Sequence, residues 1–224
     1  MRPEVKVTED PAGAAAERLA AAEGHVVLTG GSTPRTAYER AAAHRPEWSG
    51  TEIWFTDERC VPPDHEHSNY RLVKEALLDR IQGAEVHRMR GELGPHEGAA
   101  AYEQALRESF DDDLPAMELM LLGLGPDVHI CSLFPGDEAL EEHERRVVGV
   151  DMAGMAPLVP RITLTLPVVN ATRSLVFLVT GEEKAEAVSR AFSGPPDPRA
   201  PASLVDLVAG SLELICDPAA ASWL

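Results

Sequence analysis

The stretch VVLTGGSTPRTAYERAA, residues 26–42, decides how the chain folds. Val26, Val27 and Leu28 form an apolar, β-branched run that ends at Thr29. Gly30 and Gly31 permit a tight turn, Thr33 is placed to cap, and Pro34 suits a first helical position because its missing N–H has no partner there anyway. The segment therefore reads strand, turn, helix. The open N–H groups and dipole of such a helix, together with the hydroxyls of Ser32 and Thr33, form an anion site that needs no net positive charge. An ordinary strand-to-helix turn explains the segment equally well when it is taken alone. No Gly-Lys-Ser/Thr follows, so it is not a Walker loop.

Working outward, the same alternation recurs. Short apolar runs lie at residues 25–29, 52–56, 118–122, 161–166 and 175–180, with weaker ones at 86–89, 146–150 and 214–216. Between them, residues 68–81 set Tyr70, Val73, Leu77 and Ile81 at helical spacing, and residues 96–110 do the same with Ala99, Tyr102, Leu106 and Phe110. An alanine-rich segment, 12–22, reads as a further helix. Strand and helix in alternation imply βαβ units and an α/β fold, with an open, mostly parallel, Rossmann-like sheet covered by helices on both faces. No internal repeat or linker interrupts the chain; the proline-rich 194–201 reads as a surface loop between a helix and a final helical segment. At roughly 100–200 residues per domain, 224 residues are read as a single domain, 1–224.

Composition removes several classes of function. With 20 basic against 37 acidic residues, the net charge of −17 repels polyphosphates, so no nucleic-acid partner is expected. No run approaches the roughly 18 apolar residues of a membrane span, and residues 1–8 carry no secretory pattern. Three scattered cysteines, Cys60, Cys131 and Cys216, form no disulfide framework and fit free thiols in a reducing cytoplasm. An anionic ligand must therefore be captured by a few converging donors in a small pocket.

In open parallel sheets such pockets lie beyond the carboxyl ends of strands. Beyond the second run stand Asp57, Glu58 and Arg59, three charges that are costly at a buried strand end unless used or paired. Ser68 is a cap for the next helix. Cys60, His65 and His67 match no zinc spacing, and no metal is assigned. Beyond the third run, LLGLGPDVHICSLFPG, residues 121–136, sets Asp127 and His129 between two apolar segments. The glycines fail the dinucleotide fingerprint, and no Gly-x-Ser-x-Gly elbow is present. What remains is His129, a general base tuned by its surroundings, although Asp-x-His alone is weakly diagnostic. Arg161 and Lys184, at the ends of elements, are the cations that an anion could collect.

Taken in order, segments 28–34, 54–69, 123–136, 161–170 and 181–185 resemble the 6-phosphogluconolactonase family, within the group that includes glucosamine-6-phosphate deaminase and ribose-5-phosphate isomerase and shares a CoA-transferase-like fold. TDERCVP with SN, and HICSLFPG with RITLTLP, carry the resemblance. It implies hydrolysis of 6-phospho-D-glucono-1,5-lactone to 6-phosphogluconate, in the oxidative pentose phosphate pathway, with no cofactor. It implies a small-molecule partner and a monomer or small homo-oligomer. His129 would take a proton from water attacking the lactone carbonyl and return one to the ring oxygen. Asp127 would orient the loop or the imidazole. Gly30, Gly31, Ser32 and Thr33, with Arg161 and Lys184, would hold the 6-phosphate; Asp57 and Arg59 would face the sugar and the developing oxyanion.

The chain departs from the family at Val128, where the pattern has glycine between Asp and His. Val128 is expected to take an ordinary negative φ through a small loop adjustment, with His129 still facing Ser32 and Arg161. The alternatives are a deaminase of an amino-sugar phosphate, a non-catalytic sugar-phosphate sensor, and a purely structural domain.

Overall fold

Val26, Val27 and Leu28, and likewise Ile53, Trp54 and Phe55, are wholly inaccessible to solvent. A strand buried on both faces belongs inside a parallel sheet. In the computed structural model, which describes residues 2–224, the order is β1 (Glu4–Val7), α1 (Pro11–Ala21), β2 (Gly24–Leu28), α2 (Ser32–His44), β3 (Thr51–Phe55), β4 (Asp57–Arg59), α3 (Asn69–Ala76), β5 (Glu85–Val86), α4 (Pro95–Ser109), β6 (Leu119–Leu122), β7 (Val147–Val150), β8 (Arg161–Leu164), α5 (Leu166–Ala171), β9 (Ser174–Val179), α6 (Ala185–Phe192) and β10 (Ser211–Cys216). Seven strands form one sheet in the order β1-β10-β9-β6-β2-β3-β5, all neighbours parallel. From β2 the chain runs out through β3 and β5, then returns to β6 on the other side of β2. The strand order reverses there, and the crevice beyond the ends of β2 and β6 is where such sheets hold ligands. Among the described residues, no helix is long and apolar enough to cross a membrane.

The structure departs from the sequence reading at the sheet margins. Residues 161–166 do not join the parallel sheet: β8 pairs antiparallel with β4 and β7 in a separate three-stranded sheet. The strand stops at Leu164, because Leu166 and Pro167 open α5 and proline has no N–H for a ladder. β4, a charged Asp-Glu-Arg segment of low strand propensity, gives no strand signal, and β1, exposed along its whole length, gives only a four-residue Glu-Val-Lys-Val alternation, which the sequence reading does not count as a strand. The helix expected over 68–81 ends at Ala76 and continues only as a 3-10 turn, Leu78–Arg80. The final helical segment is likewise a 3-10 turn, Pro201–Leu204.

Candidate active site

The end of β2 is pinned by one side chain. The buried Tyr38 hydroxyl donates to Thr29 O at 2.7 Å and accepts from Thr29 N at 3.0 Å, and burial pushes its own ionisation far up. The turn that follows exposes a helix terminus. Gly31, at φ +114, is the N-cap of α2, and no side chain caps it. Thr33 is therefore not the cap: Ser32 is already helical, and Thr33 Oγ1 sits 3.2 Å from Thr180 Oγ1. A positive, uncapped helix end faces the crevice. Gly30 has an ordinary φ but no room, since a Cβ there would lie 2.0 Å from Asn69 Oδ1.

All three charges of β4 are used. Asp57 accepts from Ser132 Oγ at 2.7 Å, Thr56 Oγ1 at 2.8 Å and Asn69 Nδ2 at 3.3 Å, which ties the 123–136 loop and α3 to the strand. Glu58 accepts from Asn69 N, Tyr70 N, Ser68 Oγ and Arg59 N. Burial raises its carboxyl against those four bonds. Ser68 caps α3 as its sequence position indicated, accepting from Arg71 N. Arg59 donates to His67 O at 2.7 Å, and its buried Nε has no partner.

In the 123–136 loop, Asp127 Oδ1 lies 2.5 Å from His129 Nδ1 and also accepts from His129 N at 3.3 Å. A carboxylate only accepts, so this bond puts the Nδ1 proton between the pair and leaves Nε2 with its lone pair. Burial pushes the Asp127 carboxyl up, but the hydrogen bond and charge of His129 outweigh it and hold the acid below its ordinary value. The imidazole also lies against Phe134, ring centres 4.7 Å apart. Gly125 is required by this closeness: a Cβ there would fall 2.2 Å from His129 Nδ1.

Val128 corrects the expectation made for it. Its φ is +70, the left-handed value, not a negative one. Such a backbone costs an L-residue about 1–2 kcal/mol. The side chain is wholly buried, which returns about 1.5–3 kcal/mol, and both backbone groups are held, N to Gly125 O and O by Ala202 N, each at 3.0 Å. The loop thus keeps the glycine-like path, and His129 is not displaced from the crevice.

A cavity of about 450 Å³ gathers Gly30, Gly31, Ser32, Thr33, Asp57, Arg59, His129 and Lys184 in its lining, within the range of small-molecule sites. Lys184 is anchored by donating to Leu124 O at 2.6 Å; burial lowers its pKa, against the opposing charges of Glu183 and Asp127. Asp127 does not line the cavity and braces the imidazole from behind. Arg161 does not line it either. It is buried opposite Arg59 in the β4–β8 ladder and spends one nitrogen on Pro157 O and Met155 O. Two residues escaped notice as site elements, Gly125 and Asn69. The repeated glycine of Gly123-Leu-Gly125 and the Ser-Asn pair were their only traces in sequence.

Residues 5–214 match the family model described as glucosamine-6-phosphate isomerases/6-phosphogluconolactonase. The chain is 36% identical over 205 residues to the 6-phosphogluconolactonase of Nostoc, covering 89% of this chain and 84% of that protein. It is 39% identical over 205 residues to the human 6-phosphogluconolactonase, covering 88% and 79%. Among solved structures, 6-phosphogluconolactonase from Trypanosoma cruzi superposes with a TM-score of 0.86 at 26% identity over 100% of this chain and 97% of that one. A monomeric glucosamine-6-phosphate deaminase shares the fold, with a TM-score of 0.83 at 20% identity over the whole of both chains. The chain belongs to the glucosamine-6-phosphate isomerase/6-phosphogluconolactonase family.

Proposed function

We propose that this protein hydrolyses 6-phospho-D-glucono-1,5-lactone to 6-phosphogluconate. One observation carries the reading: an imidazole with a carboxylate behind it shares a cavity with an uncapped helix N-terminus. The phosphate dianion rests on the Gly30–Thr33 turn, with the Lys184 ammonium beside it. His129 Nε2 accepts a proton from water as the oxygen attacks the lactone carbonyl. The negative charge formed on the carbonyl oxygen is met by the Arg59 guanidinium, which lines the cavity. Collapse breaks the bond to the ring oxygen, and the imidazolium returns the proton to it. Asp127 holds the imidazolium in register throughout, while Asp57 acts through Ser132 and Asn69, as a positioning residue. Binding at the remote phosphate is thereby spent on orienting the carbonyl. A cytoplasmic setting goes with this reading, supported by three free thiols.

The test is proton release from freshly made lactone. His129→Ala is expected to abolish turnover while still binding 6-phosphogluconate; Lys184→Ala is expected to weaken binding chiefly. Equal rates for wild type and both variants overturn the proposal. So does ammonia release from glucosamine 6-phosphate with no lactone turnover.

A further inference from the structure

At the opposite end of the strands from the cavity, three neighbours carry polar side chains in one row. His25 on β2 is paired with Glu52 on β3, and Glu52 with Glu85 on β5. His87 follows two residues after Glu85, on the same face, and its N donates to Ile53 O. Its imidazole is stacked on the Trp54 indole, ring centres 3.9 Å apart and planes within 8°. Trp54 in turn meets Tyr102 edge-on, and His25 packs on Phe110. The rings are therefore fixed before any ligand arrives.

Two carboxylates converge on one nitrogen. His87 Nε2 lies 2.9 Å from Glu52 Oε2 and 3.7 Å from Glu85 Oε1, and one ligand atom from each residue lies within 4.8 Å of the others. That nitrogen carries at most one proton and can satisfy one carboxylate. His25 does not supply a second proton: Trp54 Nε1 donates to its Nδ1 at 3.2 Å, so that nitrogen is an acceptor, and it faces Glu52 Oε2 at 3.6 Å. The cluster has more lone pairs than protons, in a chain with a net charge of −17.

We propose that Glu52, Glu85 and His87 bind one divalent cation of the zinc class. Bonds of about 2.0–2.2 Å to a tetrahedral centre set ligand atoms roughly 3.4 Å apart, between the 2.9 and 3.7 Å that separate His87 Nε2 from the two carboxylates. Glu85, whose side chain is 71% exposed, closes the remaining gap by rotation. One His and two carboxylates leave a fourth position for solvent. The cation neutralises the facing carboxylates and clips β5, an edge strand of two residues, to β3. The site is distinct from the lactone cavity and does not depend on the reaction proposed there.

The experiment is calorimetric titration of the intact protein with zinc alone, with the thermal midpoint followed in parallel. Wild type is expected to bind about one equivalent and to melt at higher temperature as zinc rises. His87→Ala and Glu52→Gln each weaken binding by more than the roughly 10–100-fold typical of losing an outer-shell partner. His129→Ala and His65→Ala, remote from the cluster, retain it. Should His87→Ala fail to fold because the Trp54 stack is lost, Glu85→Gln replaces only an exposed oxygen and is expected to weaken binding too. No heat from wild type in large molar excess of zinc overturns the proposal, as does binding unchanged in Glu52→Gln and Glu85→Gln.

Discussion

Gly125→Ala isolates the imidazole from everything else in the site. Gly125 is not among the residues with positive φ, so alanine is compatible with its backbone. The obstacle is wholly steric: the new Cβ would stand 2.2 Å from His129 Nδ1, 2.4 Å from Cε1 and 2.7 Å from Asp127 Oδ1. Ordinary carbon–nitrogen contact is about 3.5 Å, so the ring must retreat by about 1.3 Å or the His129–Asp127 bond must break. A displacement of about 1 Å at a reacting group costs on the order of 100-fold, which is about 2.7 kcal/mol in activation free energy. The loss should fall on kcat, because the phosphate turn and Lys184 are untouched, and KM should stay near the wild-type value. Proton release from fresh lactone gives both constants, and a thermal melt confirms that the variant is folded. A folded variant with wild-type kcat would refute the argument, since it would mean that the imidazole need not stand where Gly125 allows it.

Gly30→Ala should do the reverse, raising KM more than it lowers kcat, because its Cβ would meet Asn69 Oδ1 at 2.0 Å and deform the phosphate turn; steady-state kinetics separate the two constants. Asp127 is held below its ordinary value of 3.8, so its stabilising bond to His129 is present above that pH and is lost as pH falls through the lowered pKa. Asp127→Asn should therefore be less stable than wild type at neutral pH, by a gap that closes in acid, as urea midpoints at the two pH values will show. Lys184, lowered by burial, loses its proton below the ordinary 10.5. A bound phosphate favours the ammonium, so affinity for 6-phosphogluconate should fall as pH rises from neutrality toward that value. Lys184→Met should show no such fall by calorimetry.

The parts of the fold legible in sequence were those whose signal is local. Central strands such as residues 26–28 are apolar because both faces are covered, and any window across them reports it. β4 and β1 are strands only because a partner lies alongside, Arg161–Thr163 for Asp57–Arg59 and Glu213–Cys216 for Glu4–Val7. Asp57–Arg59 is charged throughout and carries no strand pattern, while Glu4–Val7 alternates polar residues with valine but over only four residues, too short to stand out without its partner. In the site, His129 and the glycine turn were legible for the same reason, as chemistry placed just past a strand. Arg161 lies outside the cavity lining: position at an element end does not say which way a guanidinium turns, and here the carbonyls of Met155 and Pro157 take one of its nitrogens.

The residues 125–129 carry this further. Local rules assign glycine to left-handed backbone and leave other positions free. Between 125 and 129 the left-handed residue is Val128, with Cys131 at φ +52 just beyond it, and Gly125 is not among the residues of positive φ. Both facts follow from packing across the chain. Val128 is tolerated because burial of its side chain and the Ala202 N–H offset a strain of about 1–2 kcal/mol. Gly125 is excluded from change because the imidazole occupies the volume a methyl group would need. The valine therefore says nothing against activity, and the glycine beside it is the stricter requirement. It follows that Val128→Gly should alter stability while leaving His129 on its Asp127 partner, whereas the single methyl of Gly125→Ala should separate them.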